Sequence, residues 1–219
     1  VPKTLVQRLM ARGQAEMMPS ELRDVTVLMT DIVGFTARAE KMGAQETAAF
    51  LNHHLALVTG CIEAEGGVVD KYMGDAVMAL WGALEPEPDQ ALHAVNAAIR
   101  IAEAVAADNS EEEEPVRVRI GIHRGPVVAG NIGATTRMNY TVVGDTVNLA
   151  QRLEALGKTL LPDADVAILM SAETRQALDG SIETSSLGLH ELRGREAVIE
   201  VFRVGRGSPA PTARNDERL

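Results

Sequence analysis

The chain has 219 residues, and its 21 basic and 31 acidic side chains give a formal charge of −10. That length fits one domain with attached ends, and 46% apolar content is enough for a sizeable core. The acidic balance argues against a nucleic-acid polymer or an anionic membrane surface as partner, and the single Cys61 excludes a disulfide framework or a cysteine-based zinc site.

Residues 1–20 carry apolar positions at Leu5, Val6, Leu9 and Met10, the spacing of a short helical lead-in or linker. Asp24–Asp31 is β-branched and apolar and predicts a strand, which Gly34 breaks. Phe50, Leu51, Leu55, Val58 and Ile62 predict a helix over 43–65, ended by Gly66-Gly67. Val68–Met73 and Ala76–Trp81, joined at Gly74-Asp75, read as a hairpin. A second long helix opens at Pro86–Asp89, and the acidic run Glu111–Glu114 reads as a solvated loop. Strands are expected at Val116–His123, Pro126–Ile132 and Met138–Val143, then a helix at Gly144–Leu156. Val166–Met170 is a strand, Ser171–Leu178 a short capped helix, and Val198–Val204 a last strand. The polar, Pro-containing stretch 207–219 reads as a flexible tail. This order is not alternating βαβα; it predicts an α+β fold with a mainly antiparallel sheet, helices on one face and a ferredoxin-like βαββαβ core.

Three segments bear on chemistry. Period-two counting puts Val25, Val27, Met29 and Asp31 on one strand face, so an acid ends an apolar row. Alone, a strand-end Asp such as Asp31 is more often a cap or turn residue. Asp75 at the hairpin tip supplies a second acid; two nearby carboxylates call for a cation, and oxygen ligands suit Mg²⁺ or Mn²⁺. Gly34-Phe35-Thr36 forms a glycine-bearing turn after the strand, able to aim backbone N–H groups at phosphate oxygens. Asn148 and Arg152 stand i and i+4 on one helix face, which is also the spacing of an ordinary surface stripe. The five histidines lack metal-ligand spacing, no nucleophile elbow occurs, and neither a Walker loop nor a GxGxxG is present.

In register, Thr30-Asp31-Ile32-Val33-Gly34-Phe35-Thr36, Lys71-Tyr72-Met73-Gly74-Asp75-Ala76 and Gly144–Arg152 resemble the class III nucleotide cyclase catalytic domain, over roughly residues 22–204. The resemblance implies a catalytic domain spanning 21–206 and a head-to-tail homodimer with its sites at the interface. It implies that Asp31, Asp75 and the Ile32 carbonyl hold two Mg²⁺ or Mn²⁺ ions. Lys71 and Thr141 match the purine-selecting pair, and in this combination they imply ATP as substrate. Asn148 matches the ribose-orienting residue and Arg152 the one that stabilises the α-phosphate, while Arg193 stands where many members carry a phosphate-binding Lys. The other chain would supply the metal carboxylates to the site that these five residues enter. Thr141 in place of Asp is typical of a subgroup that includes bicarbonate-responsive cyclases, which makes bicarbonate a candidate regulator.

The expected activity is conversion of ATP to 3′,5′-cyclic AMP and pyrophosphate. The alternatives are a guanylate cyclase, disfavoured by Lys71 and Thr141, and a catalytically silent cyclase-like module, disfavoured because the metal acids, the Asn and the Arg are all present. A diguanylate cyclase would need a Gly-Gly-Asp/Glu-Glu-Phe hairpin, which is lacking. A cytoplasmic setting without direct membrane insertion is expected, and Val1 in place of an initiator Met suggests a trimmed chain or a piece of a longer one; an upstream regulatory domain is a candidate partner.

Overall fold

The structure, a computed structural model, describes residues 20–111, 114–134, 137–191 and 198–205. The expected lead-in (apart from Ser20), Arg193 and the tail from 207 lie outside them. In chain order the elements are β1 (Glu21–Ile32), α1 (Phe35–Lys41), α2 (Ala44–Ala64), β2 (Val68–Met73), β3 (Ala76–Trp81), α3 (Gln90–Asp108), β4 (Val118–Ala134), β5 (Arg137–Val143), α4 (Asp145–Leu160), β6 (Val166–Ser171), α5 (Ala172–Gln176), β7 (Thr184–Glu191) and β8 (Val198–Val204). The strands form one sheet in the order β2-β3-β1-β4-β6-β8-β7, with β5 hydrogen-bonded to β4 alone. All pairings are antiparallel except β4 with β6. The β2-β3-β1-β4 half is the expected βαββαβ core.

Strand β1 lies at the centre, and its apolar run reflects burial on both sides. Leu28 and Ile32 join Val58, Ile62, Ala94, Ala98, Ile101, Ile120 and Ile122 under α2 and α3. Val25, Val27 and Met29 face the other way, packing with Met78, Leu80, Val127, Val142 and Ala150. Ala150 belongs to α4, so the helices occupy both faces of the sheet and not one as the element order predicts. The cause is Gly121 of β4: a Cβ there would stand 2.2 Å from both the Ala150 carbonyl oxygen and the Glu154 backbone nitrogen. Only a missing side chain lets α4 lie on the strand this closely.

Two further differences have local reasons. Val116–His123 and Pro126–Ile132 are not separate strands, because β4 runs unbroken from Val118 to Ala134. On the side away from β1, β6 pairs residues 118–122 and β5 pairs 128–134, so Pro126 falls in the gap where no ladder partner needs its N–H. Val116 is instead fixed by Asn109, whose side chain bonds both its N–H (2.7 Å) and its carbonyl (2.8 Å). Strand β7 has no signal in the sequence: it is a largely exposed outer strand, bulged at Leu187, so it needs no apolar alternation. Trp81, fully buried, donates its indole N–H to the Glu65 carbonyl at 2.8 Å and ties the end of α2 to the hairpin. Among the described residues no helix is long and apolar enough to cross a membrane.

Candidate active site

The row of apolar side chains on β1 does end in Asp31, and the β2–β3 hairpin brings Asp75 to it. Asp75 Oδ2 accepts the Ile32 backbone N–H at 3.1 Å, locking the hairpin tip to the strand end. Burial, then the neighbouring Asp31, raises the Asp75 carboxyl above its ordinary range, against the lowering effect of its backbone hydrogen bonds. Two acids that resist joint ionisation form a natural seat for positive charge. With the Ile32 carbonyl they offer oxygen donors only, the set that Mg²⁺ or Mn²⁺ uses when a substrate phosphate completes its shell. Among the described residues no group of three or more acidic, His or Cys side chains is placed to hold a metal ion.

Opposite Asp31 in the β1–β4 ladder stands Arg119, whose Nη2 bonds Asp31 Oδ2. Its Nε lies 2.8 Å from Glu154 Oε1 of α4, close enough to pair but angled off a hydrogen bond. Burial raises the Glu154 carboxyl to about 7, an effect that Arg119 opposes and Asp31 reinforces. Neither Arg119 nor Glu154 is marked by the sequence. Arg119 sits in an alternating strand where a polar residue reads as solvent-facing, and Glu154 sits on a helix assigned to the wrong side of the sheet.

The turn after β1 uses Gly34 at φ 73°, a left-handed conformation that suits glycine. Gly34 and Thr36 are exposed there. The Phe35 ring goes into packing, stacked 6.3 Å from Phe50, so only its backbone is left for a ligand.

Lys71 and Thr141 lie 70 positions apart, yet both reach one oxygen. Asp70 Oδ2 accepts the Thr141 hydroxyl at 2.8 Å and sits 3.2 Å from Lys71 Nζ. Regular strand alternation would put Asp70 on the face opposite Lys71, so the sequence does not mark it for the site. The β2–β3 register shifts between Val69 and Lys71, and this bulge at Asp70 breaks the alternation.

Asn148 is exposed on α4, and Arg152 is half-buried with Nη1 buried and without a hydrogen-bond partner. At 100° per residue, Arg152 and Glu154 project about 160° apart around the helix. Neither Asn148 nor Arg152 hydrogen-bonds or ion-pairs with Asp31 or Asp75 of the same chain. One chain therefore presents the carboxylate pair on the sheet side of α4, and the Asn/Arg pair on the far side.

A ferredoxin-like core with paired acids at a central strand end and hairpin tip, and an Asn/Arg helix after β5, defines a nucleotide cyclase catalytic domain. The chain belongs to that family: the adenylate and guanylate cyclase catalytic domain matches residues 17–204. It is 31% identical over 208 residues to adenylate cyclase 1 of Rhizobium meliloti and 34% identical over 221 residues to an adenylate cyclase of Anabaena cylindrica, in each case across 93% of this chain. It spans only 31% and 41% of those two proteins. Among solved structures it resembles the adenylyl cyclase CyaB from P. aeruginosa, with TM-score 0.78 and 29% identity over 87% of this chain and 97% of that one. It also resembles the guanylate cyclase domain of RhGC from Catenaria anguillulae in complex with GTP, with TM-score 0.74 and 30% identity over 84% of this chain and 98% of that one. Fold alone does not separate ATP from GTP.

Proposed function

We propose that this domain is an adenylate cyclase, forming 3′,5′-cyclic AMP and pyrophosphate from ATP. The observation that carries the choice of purine is the convergence of Lys71 and Thr141 on Asp70 Oδ2. Lys71 can donate to adenine N1, an acceptor, whereas guanine N1–H is a donor; Thr141 can accept from the 6-amino group. Asp31, Asp75 and the Ile32 carbonyl would hold two Mg²⁺ or Mn²⁺ ions, which when bound ease loss of the 3′-hydroxyl proton and neutralise the triphosphate.

The ribose 3′-oxygen attacks the α-phosphorus in line; one P–O bond forms, the bond to the bridging oxygen breaks, and pyrophosphate leaves. Asn148 orients the ribose, and Arg152, a fixed cation with a free buried N–H, stabilises charge growing on the α-phosphate. Arg119 stands beside the carboxylate pair as a further cation for the polyphosphate. Backbone N–H groups of Gly34, Phe35 and Thr36 are available to its oxygens, and Arg193 is proposed as another phosphate contact. The opposed directions of Glu154 and Arg152 support a homodimer in which each site takes its acids from one chain and its Asn/Arg pair from the other. Bicarbonate regulation, an upstream regulatory domain and a cytoplasmic setting are part of the same reading. Incubation with ATP or GTP in Mn²⁺, with products resolved by chromatography, tests it: cyclic AMP is expected, and dominant cyclic GMP or no product overturns it.

A further inference from the structure

We infer that Asp70 sets the purine preference of this site by fixing the direction of the Thr141 hydroxyl proton; the inference deepens, and rests on, the adenine reading of the Lys71–Thr141 pair. A threonine hydroxyl has one proton and two lone pairs, so it can either donate or accept. Left to itself, Thr141 would satisfy a 6-amino group by accepting and a 6-oxo group by donating. It would then favour neither adenine nor guanine. The Asp70 side chain removes that freedom. It is 4% exposed, and its Oδ2 lies 2.8 Å from Thr141 Oγ1. An ionised carboxylate has no proton to give, so the one in this hydrogen bond comes from Thr141. The Thr141 oxygen then offers only lone pairs to a ligand, and a base reaching it has to donate. A 6-amino group can do so and a 6-oxo group cannot.

The same carboxylate oxygen holds the Lys71 ammonium at 3.2 Å. Donor and acceptor are thus gathered around one atom, within about 6 Å of each other, where the adjacent N1 and 6-amino positions of one base edge can bridge them. The bulge makes this possible: with regular alternation, Asp70 and Lys71 would point to opposite faces of β2. Asp70 acts through Thr141 and Lys71 and is a positioning residue in this scheme.

The test compares kcat/KM for ATP and inosine triphosphate, which carries a 6-oxo group without the 2-amino group of guanine. Asp70→Asn is the informative variant, because its amide can donate to Thr141 and release the hydroxyl proton toward a 6-oxo group. The ATP-to-inosine-triphosphate ratio is expected to fall about tenfold, not to unity, because Lys71 still demands an acceptor at N1. In a Thr141→Val background the same substitution is expected to leave the ratio unmoved. A merely structural role for Asp70 would lower both rates in parallel. A ratio unchanged in Asp70→Asn, or shifted equally in the Thr141→Val background, overturns the inference while leaving the cyclase reading standing. If Asp70→Asn does not fold, Asp70→Ser removes the obligate acceptor with less bulk and has to show the same fall. Competitive binding of 3′-deoxy-ATP and 3′-deoxy-inosine triphosphate reads the preference without turnover, so failure of the wild type to cyclise ATP is separable from failure of the inference.

Discussion

Replacing Glu154 with Gln isolates the cost of keeping a charge under α4. The carboxyl is buried beside Arg119, on a helix whose backbone sits against Gly121, and is raised from 4.5 to about 7, chiefly by burial. Between those two values the folded protein binds more protons than the unfolded chain, so stability is lost as pH climbs through the window. At about 1.4 kcal/mol per unit, the charged side chain destabilises the fold at pH 8 by about 3 kcal/mol at most, and about 2 kcal/mol after solvent screening. In the wild type this slope is masked. His54, buried on α2, is lowered from 6.5 to about 4, mainly by burial; there the unfolded chain binds the extra proton, and stability rises with pH over nearly the same range. Gln keeps the shape of the protonated acid, and Asp31 still pairs Arg119. Glu154→Gln should therefore gain about 2–3 kcal/mol at pH 8, or about 4–10 °C in melting temperature, and almost nothing at pH 4.5. Urea denaturation in EDTA at both pH values measures this. An equal effect at pH 4.5 and pH 8, or a loss at pH 8, would refute the reasoning.

Asp31→Ala and Asp75→Ala should each abolish turnover while leaving a cooperative melt, read by cyclic AMP assay and calorimetry. Mixing Asp31→Ala with Arg152→Ala chains should restore about a quarter of wild-type activity, since half the dimers are mixed and each carries one intact site; no rescue in chains shown to exchange would contradict the shared site. Gly121→Ala should destabilise by at least about 3 kcal/mol, because its methyl group meets helix backbone and not a movable side chain; a normal denaturant midpoint would show that α4 can lift. Activity should respond to a bicarbonate titration at constant pH, and a flat response removes that regulator.

The sequence made the core and the site outline legible wherever a residue's meaning is local. The alternation along β1, the Gly74-Asp75 turn and the i, i+4 pair on α4 all show themselves within a few positions. What escaped depends on contacts distant in the chain. Asp70 becomes meaningful only because a bulge turns it to a strand 71 residues away. Arg119 and Glu154 matter because α4 crosses to the face opposite α2 and α3, and Gly121, which allows that crossing, reads in sequence as one more small residue in a strand. Pro126 looks like a strand breaker until the staggered ends of β5 and β6 leave it a place without a ladder partner.

The seat of α4 on Gly121 also limits how such an enzyme can be switched. Backbone meets backbone there with no room for even a methyl group, so the helix cannot slide along its own sheet without lifting off it. Asn148 and Arg152 therefore move as one rigid block with Asp31 and Asp75 of the same chain. In the proposed dimer, bringing Arg152 nearer to the substrate, or drawing it away, becomes a matter of turning one whole protomer against the other. A regulator can then act far from the nucleotide, by torque on the chain ends, and would reset both sites in the same movement.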